Sequence, residues 1–250
     1  MTKRAYALDA LRGYAIITMV LSATVAWNSL PGWMYHAQTP PPDRAFDASL
    51  SGITWVDLVF PFFLFAMGAA FPFSIKKRFE KGDTKLRLVY EAIKRGAQLT
   101  FFAIFIQHFY PYMLSSPQDI RAWLLAILCF AVLFPMFMRI PLKMPDWVHI
   151  SIKVGAYIVA AIMLATTSYA DGKTFSLFSS NIIILLLANM AIFGSILYIF
   201  TMHNRWMRLG ILILLMAMIL GSTVDGSWTQ SVFNYTPLLW MYRFDYLKYL

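Results

Sequence analysis

At 250 residues, 60% hydrophobic and only 13% charged, with a mean hydropathy of +0.62, the chain is too apolar for a soluble domain; such domains carry about 25% charged residues. Its net charge of +9 does not point to nucleic acid, because the basic residues sit in short segments between apolar runs, where they set membrane topology. The single cysteine, Cys129, excludes both an intrachain disulfide and a multi-cysteine metal site.

A bilayer core takes roughly 20 mainly apolar residues per helix. By that measure the sequence predicts seven spans, at 6–27, 54–74, 96–114, 122–138, 150–168, 178–201 and 207–224. The expected fold is all-α, a polytopic integral membrane helical bundle forming one domain over residues 1–250. The first run carries Asp9 and Arg12, and no small-residue cleavage site follows it, so it reads as a retained span rather than a signal peptide. The long loop 28–53 comes next. Pro40-Pro41-Pro42 stiffens it, and Trp27, Trp33 and Tyr35 suit a membrane interface.

After the second span come Lys76, Lys77, Arg78, Lys81, Lys85, Arg87, Lys94 and Arg95, a segment that belongs in the cytoplasm by the positive-inside rule. Alternating sides from there places Lys3, Arg4, Arg12, Arg139, Lys143, Lys153, Arg205 and Arg208 with it. Only Arg44, Arg121, Lys173, Arg243 and Lys248 fall on the other side. The N-terminus is therefore expected in the cytoplasm and loop 28–53 outside. Tyr235 to Leu250 is rich in aromatics and reads as the entrance to a further span, so the domain is expected to be incomplete at its C-terminus.

Two residues around the start of the second span could carry chemistry. His36 lies in the outer loop; a neutral imidazole can take a proton from an amine or hydroxyl, or attack a thioester and hold the acyl group. An ordinary exposed loop histidine is the plain alternative. Asp57 follows Thr54 by three positions, so it fits a capping box and suits the positive end of a helix dipole. An ionisable residue in a span also raises the odds of function, and here the function would be to orient His36. Pro61 cannot donate to the Asp57 carbonyl, which leaves a polar spot at that level of the helix.

Asp9 and Arg12, three apart, share a helix face. They are either a paired charge at the interface or, with Lys76, Lys77 and Arg78 nearby, a lure for the phosphates of a cytoplasmic donor. Thr18, Ser22 and Ala26 recur every four residues, and with Gly68, Ala69 and Ala70 they read as close-packing surfaces. Asn189 reads as interhelical glue, and His108 as an interface anchor or a lining of the outer vestibule. His149 and His203 fall on the cytoplasmic side and suggest no chemistry. H-E-x-x-H, G-x-S-x-G, G-x-x-x-x-G-K-[ST] and G-x-G-x-x-G motifs are all absent from the sequence.

Leu8-Asp9-Ala10-Leu11-Arg12-Gly13, His36-Ala37 and Gly52-Ile53-Thr54-x-x-Asp57-Leu58-Val59-Phe60-Pro61 together resemble the heparan-alpha-glucosaminide N-acetyltransferase family and its bacterial relatives. The resemblance covers residues 5–80, with the T-x-x-D-L-V-F-P-F-F-L-F-x-M-G run its most specific part. It implies a transmembrane acetyltransferase that moves acetyl from cytoplasmic acetyl-CoA to an amino sugar of glucosamine type on the outer side. His36 would be catalytic, Asp57 its partner and Arg12 a donor contact. The implied setting is a bacterial inner membrane, with the bilayer, acetyl-CoA and a glycan acceptor as partners, no nucleic acid and no metal. A homo-oligomer stays open.

Three departures from the family pattern stand out. His36 and Asp57 are 21 residues apart, which an insertion from Gln38 to Ser51 would explain. The late span-one asparagine is replaced in the region of Ser22 and Ala23, and family members continue through further spans. An O-acyltransferase of cell-envelope glycans shares the L-D-x-x-R-G start, and a multi-span transporter or a scaffold subunit would share the hydropathy.

Overall fold

A computed structural model describes the chain except for residues 1–5, 25–28, 41, 42, 44, 48, 139–143, 236–240, 244, 245 and 247–250. Ala26, Trp27, Pro41, Pro42 and the basic residues Lys3, Arg4, Arg44, Arg139, Lys143 and Lys248 lie outside the described residues. Ten α-helices are described: α1 (Tyr6–Thr24), α2 (Trp55–Phe71), α3 (Lys77–Glu80), α4 (Lys85–His108), α5 (Pro111–Leu114), α6 (Ile120–Phe137), α7 (Asp146–Thr166), α8 (Ile182–Thr201), α9 (Arg205–Gly221) and α10 (Trp228–Asn234). No strand occurs among the described residues.

The helical segments Trp55–Glu80, Ile120–Phe137, Asp146–Thr166 and Ile182–Thr201 are long and apolar enough to cross a membrane. The other three expected spans fall on α1, α4 and α9. Boundaries differ from the apolar runs for local reasons. The second span continues to Glu80 because a π turn over Pro72–Lys76 carries the helix past Pro72, which lacks an N–H to donate. The helix of the third expected span, α4, starts at Lys85, since a polar segment can be helical without being membrane-embedded. It stops before Pro111, which holds Tyr110 in an extended conformation.

The chain forms two compact units, one of Met1–Lys94 with Asn189–Leu250 and one of Arg95–Ala188. In the first, α1 lies against α2, burying Ala15 and Thr18 on one helix and Val56, Val59 and Ala66 on the other. Tyr14 meets Phe62 edge-on at 6.0 Å. The close-packing surface matches the expected one in part: Thr18 is buried, together with Ala15 and Ala66, while Ser22 bonds back to the Met19 carbonyl and Gly68 faces open space. A helix face repeats every 3.6 residues, and that period carries Gly68 round to the far side of α2 from Ala66. A second apolar cluster of this unit joins Ile75, Leu88, Tyr198 and Ile199. Asn189, fully buried, donates to the carbonyl of Met241 at 2.8 Å, so the tie it makes is to a non-helical segment rather than to another helix.

In the second unit, α6 packs on α7, and Phe105, Met136 and Ala160 lie at the centre of its core. His108 is buried there, 1% exposed, with Nδ1 donating to the Ile104 carbonyl at 2.8 Å and Nε2 accepting from the Ser176 N–H at 3.3 Å. Phe175 and Tyr169 flank its ring. Both nitrogens are satisfied, so His108 is a structural histidine rather than an exposed anchor or a vestibule residue.

Candidate functional site

The entrance of α2 is built by a loop that leaves and returns. A short 3-10 turn at Gly32–Met34 leads into Tyr35, whose ring is buried and whose hydroxyl accepts the Leu30 N–H at 3.0 Å. Thr39 closes a turn on His36, its N–H and its hydroxyl both donating to the His36 carbonyl at 3.0 and 2.9 Å. Beyond it the chain makes an excursion and is stapled shut. The Asp47 N–H donates to the Gln38 carbonyl at 2.8 Å, and Gln38 Nε2 donates to the Leu50 and Gly52 carbonyls, both at 3.3 Å.

Gly52 makes the return possible. Its φ is +151°, and a Cβ there would stand 3.1 Å from the Ala37 Cβ. That conformation and that clearance both favour glycine. The two ends of segment 38–51 thus meet, which is why 21 residues of sequence separation leave His36 beside Asp57.

His36 Nδ1 lies 2.5 Å from Asp57 Oδ1. An ionised carboxylate can only accept, so Nδ1 is the donor, and in a neutral imidazole Nε2 then carries the lone pair. The His36 side chain is 53% exposed against 20% for Asp57, so the imidazole stands open to the surroundings on a half-buried carboxylate. The second oxygen of Asp57 has a different task. Oδ2 accepts the Thr54 N–H at 2.8 Å and approaches the Ala37 N–H at 3.5 Å. Thr54 Oγ1 is 2.7 Å from the Tyr35 carbonyl and 3.0 Å from Asp57 Oδ2, with one proton to serve both. Asp57 therefore caps α2, as its spacing from Thr54 predicts, and meets His36 as well. Pro61, inside α2, leaves the Asp57 carbonyl without its helical partner.

Arg12 stands elsewhere on the same helix pair. It contacts Asp9 at 3.6 Å and the Ala66 carbonyl of α2 at 3.4 Å. Ala66 is nine residues beyond Asp57, roughly 14 Å along the helix at 1.5 Å per residue. The structure brings His36 and Asp57 together and leaves Arg12 apart from them. Lys76 pairs with Glu80 at 3.8 Å, and Arg78 with Asp83 at 2.8 Å. Among the described residues, no group of three or more His, Cys, Asp or Glu gathers as a metal site.

Sequence reasoning missed Gln38, Gly52 and the Thr54–Tyr35 contact. The glycine just before a helix cap was the one available signal, since it marks a turn that other residues resist.

The family described as Domain of unknown function (DUF5009) matches residues 4–250. The chain belongs to the DUF5009 family. No curated protein and no solved structure matches it. The His36–Asp57 pair and its loop lie within the matched residues of this DUF5009 chain.

Proposed function

We propose that the chain is a transmembrane acetyltransferase that takes acetyl from cytoplasmic acetyl-CoA and delivers it to the amino group of a glucosamine-type sugar on the outer side of a bacterial inner membrane. The observation that carries the reading is the His36–Asp57 contact at the entrance of an apolar helix, on the residue pattern that resembles the heparan-alpha-glucosaminide N-acetyltransferases. In this reading the N-terminus is cytoplasmic, seven helices span the bilayer, and loop 28–53 faces the acceptor.

His36 Nε2 takes the proton from the acceptor amine as its nitrogen attacks the thioester carbonyl. The C–N bond forms, the C–S bond breaks, and the thiolate of coenzyme A leaves. Asp57 holds the imidazole in the competent tautomer and stabilises the imidazolium that results. In the carrier variant of the mechanism, Nε2 itself attacks the thioester and passes acetyl to the amine; ping-pong kinetics and a trapped acetyl-enzyme distinguish this route. Arg12 is the proposed donor contact.

The test is transfer from labelled acetyl-CoA into inside-out vesicles loaded with glucosamine, comparing the native chain with His36→Ala. Transfer lost in the variant supports the reading and its key residue together. Equal transfer by both removes His36 from the mechanism. Acetylation of hydroxyl sugars in preference to amines would move the chain to the O-acyltransferases.

A further inference from the structure

A second polar feature of the first unit has no part in the chemistry at His36. Where the Trp55–Glu80 and Ile182–Thr201 segments end, an open cleft of about 600 Å³ is lined by residues that include Lys76, His203, Arg205, Trp206 and Arg208. Two elements supply its cations: Lys76 closes the π turn, while Arg205 and Arg208 belong to the first turn of α9. Among the described residues, no carboxylate lines it. Glu80 reaches Lys76 at 3.8 Å, but both side chains are about three-fifths exposed, and such a pair holds weakly.

Arg208 is fixed in place before any ligand arrives. Its Nε and Nη2 donate to Thr201 Oγ1 and the Thr201 carbonyl at 3.3 and 3.2 Å, and its guanidinium lies 4.9 Å from the Tyr198 ring centre. Among the described residues Nη1 makes no hydrogen bond. Arg205 stacks toward Trp206 at 5.3 Å, which places a cation against an exposed indole at the rim. The first-turn N–H groups of Trp206 and Met207 already donate to Asn204 Oδ1. Ligand recognition therefore falls to the side chains, aided by the positive end of the α9 dipole.

We propose that this cleft binds a phosphate group. Guanidinium donors in a fixed fork suit phosphate oxygens, and Lys76 adds a point charge from the facing element. Loop charges that merely set topology would need no such convergence. Both apolar segments end here, so the cleft stands at membrane-surface level, within reach of a soluble phosphoanhydride and of a phospholipid headgroup. The site is independent of the reading of His36.

The experiment uses the full chain in phosphatidylcholine nanodiscs, with inorganic pyrophosphate as the soluble probe and calorimetry as the readout. The double variant Lys76→Gln/Arg205→Gln is compared with Lys153→Gln, which changes charge at an exposed position of α7. Saturable binding that falls about tenfold or more in the cleft variant and holds in Lys153→Gln supports a soluble phosphate ligand, as expected for loss of charged hydrogen bonds. A second arm replaces part of the phosphatidylcholine with phosphatidylglycerol and counts retained lipid by native mass spectrometry. Retention of phosphatidylglycerol that the cleft variant loses, without pyrophosphate binding, supports the headgroup as the source. Neither probe bound by the native chain, or both bound equally by the cleft variant, overturns the proposal. Matching size-exclusion profiles of the variants exclude misfolding as the cause of a loss.

Discussion

Replacing Asp57 by Asn changes no shape and should still disable His36, because the cap dictates which way the amide points. The Thr54 N–H needs an acceptor at 2.8 Å, so the single amide oxygen must take the place of Oδ2. The NH₂ group then faces His36 Nδ1 at the 2.5 Å contact, where two donors would collide. The imidazole escapes by moving its proton to Nε2, which converts the outward nitrogen from acceptor to donor. Loss of the charge near the helix N-terminus costs about 0.3–1 kcal/mol of stability. If His36 is the proposed general base, its loss costs about 10²–10⁴ in rate, or roughly 3–5 kcal/mol of transition-state stabilisation. The catalytic loss exceeds the folding loss severalfold, so unfolding cannot imitate it. With only four histidines in the chain, nitrogen-15 NMR of labelled imidazoles can read the tautomer directly. The acetyl-transfer assay is run beside it. A proton that stays on Nδ1 in the variant, or transfer within about threefold of native, would refute the reasoning.

The remaining expectations concern the loop and the donor side. Gly52→Ala should loosen the loop by about 1–3 kcal/mol, since alanine resists a φ of +151° and its Cβ crowds Ala37; unchanged hydrogen exchange at Gln38 and Asp47 would contradict this. The Asp47 carboxyl is held below its ordinary pKa by the hydroxyl and then the N–H of Ser49, both on Oδ1. A depressed folded-state value contributes stability that is present above the unfolded pKa of about 3.9 and is lost as pH falls through the folded one. The turn at Asp47 should therefore hold at neutral pH and open only below about pH 4, with Asp47→Asn abolishing the acid step; opening near pH 6 in exchange mass spectrometry would assign control to another group. Arg12→Gln should cost less than about 1 kcal/mol, because its ion pair with Asp9 is two-fifths exposed. If Arg12 holds the donor, KM for acetyl-CoA rises with kcat unchanged; an unchanged KM removes it from that role.

How much of this was legible in the sequence depends on the range of the interaction. Helices declared themselves through apolar runs, and the Thr54–Asp57 cap through local spacing, because both are set within a few residues. The end at Glu80 was not legible, since whether a proline halts a helix or is absorbed in a π turn depends on the packing of the residues beyond it. The buried face of α1 was only partly legible for a similar reason. Thr18, Ser22 and Ala26 repeat at four, but the neighbouring helix selects Ala15 and Thr18. The cleft at Lys76, Arg205 and Arg208 was legible only at Lys76, which stood among the residues read as a lure for a donor's phosphates; Arg205 and Arg208, more than a hundred residues further on, read as topology markers.

The site itself shows why the two sequence readings of Asp57 were never rivals. A helix cap and an orienting carboxylate looked like competing explanations for one residue. In the structure they use different oxygens: Oδ2 secures the backbone of Thr54, and Oδ1 meets the imidazole. The first bond fixes the rotation of the carboxylate, and that rotation aims the second. Ala37, adjoining His36, comes within 3.5 Å of the capping oxygen, so the loop is registered on the same atom that starts the helix. A shift in how α2 begins would thus be felt at His36 directly. Capping is the means by which a carboxylate at the start of an apolar helix is fixed in direction and made ready to hold a histidine delivered by a loop.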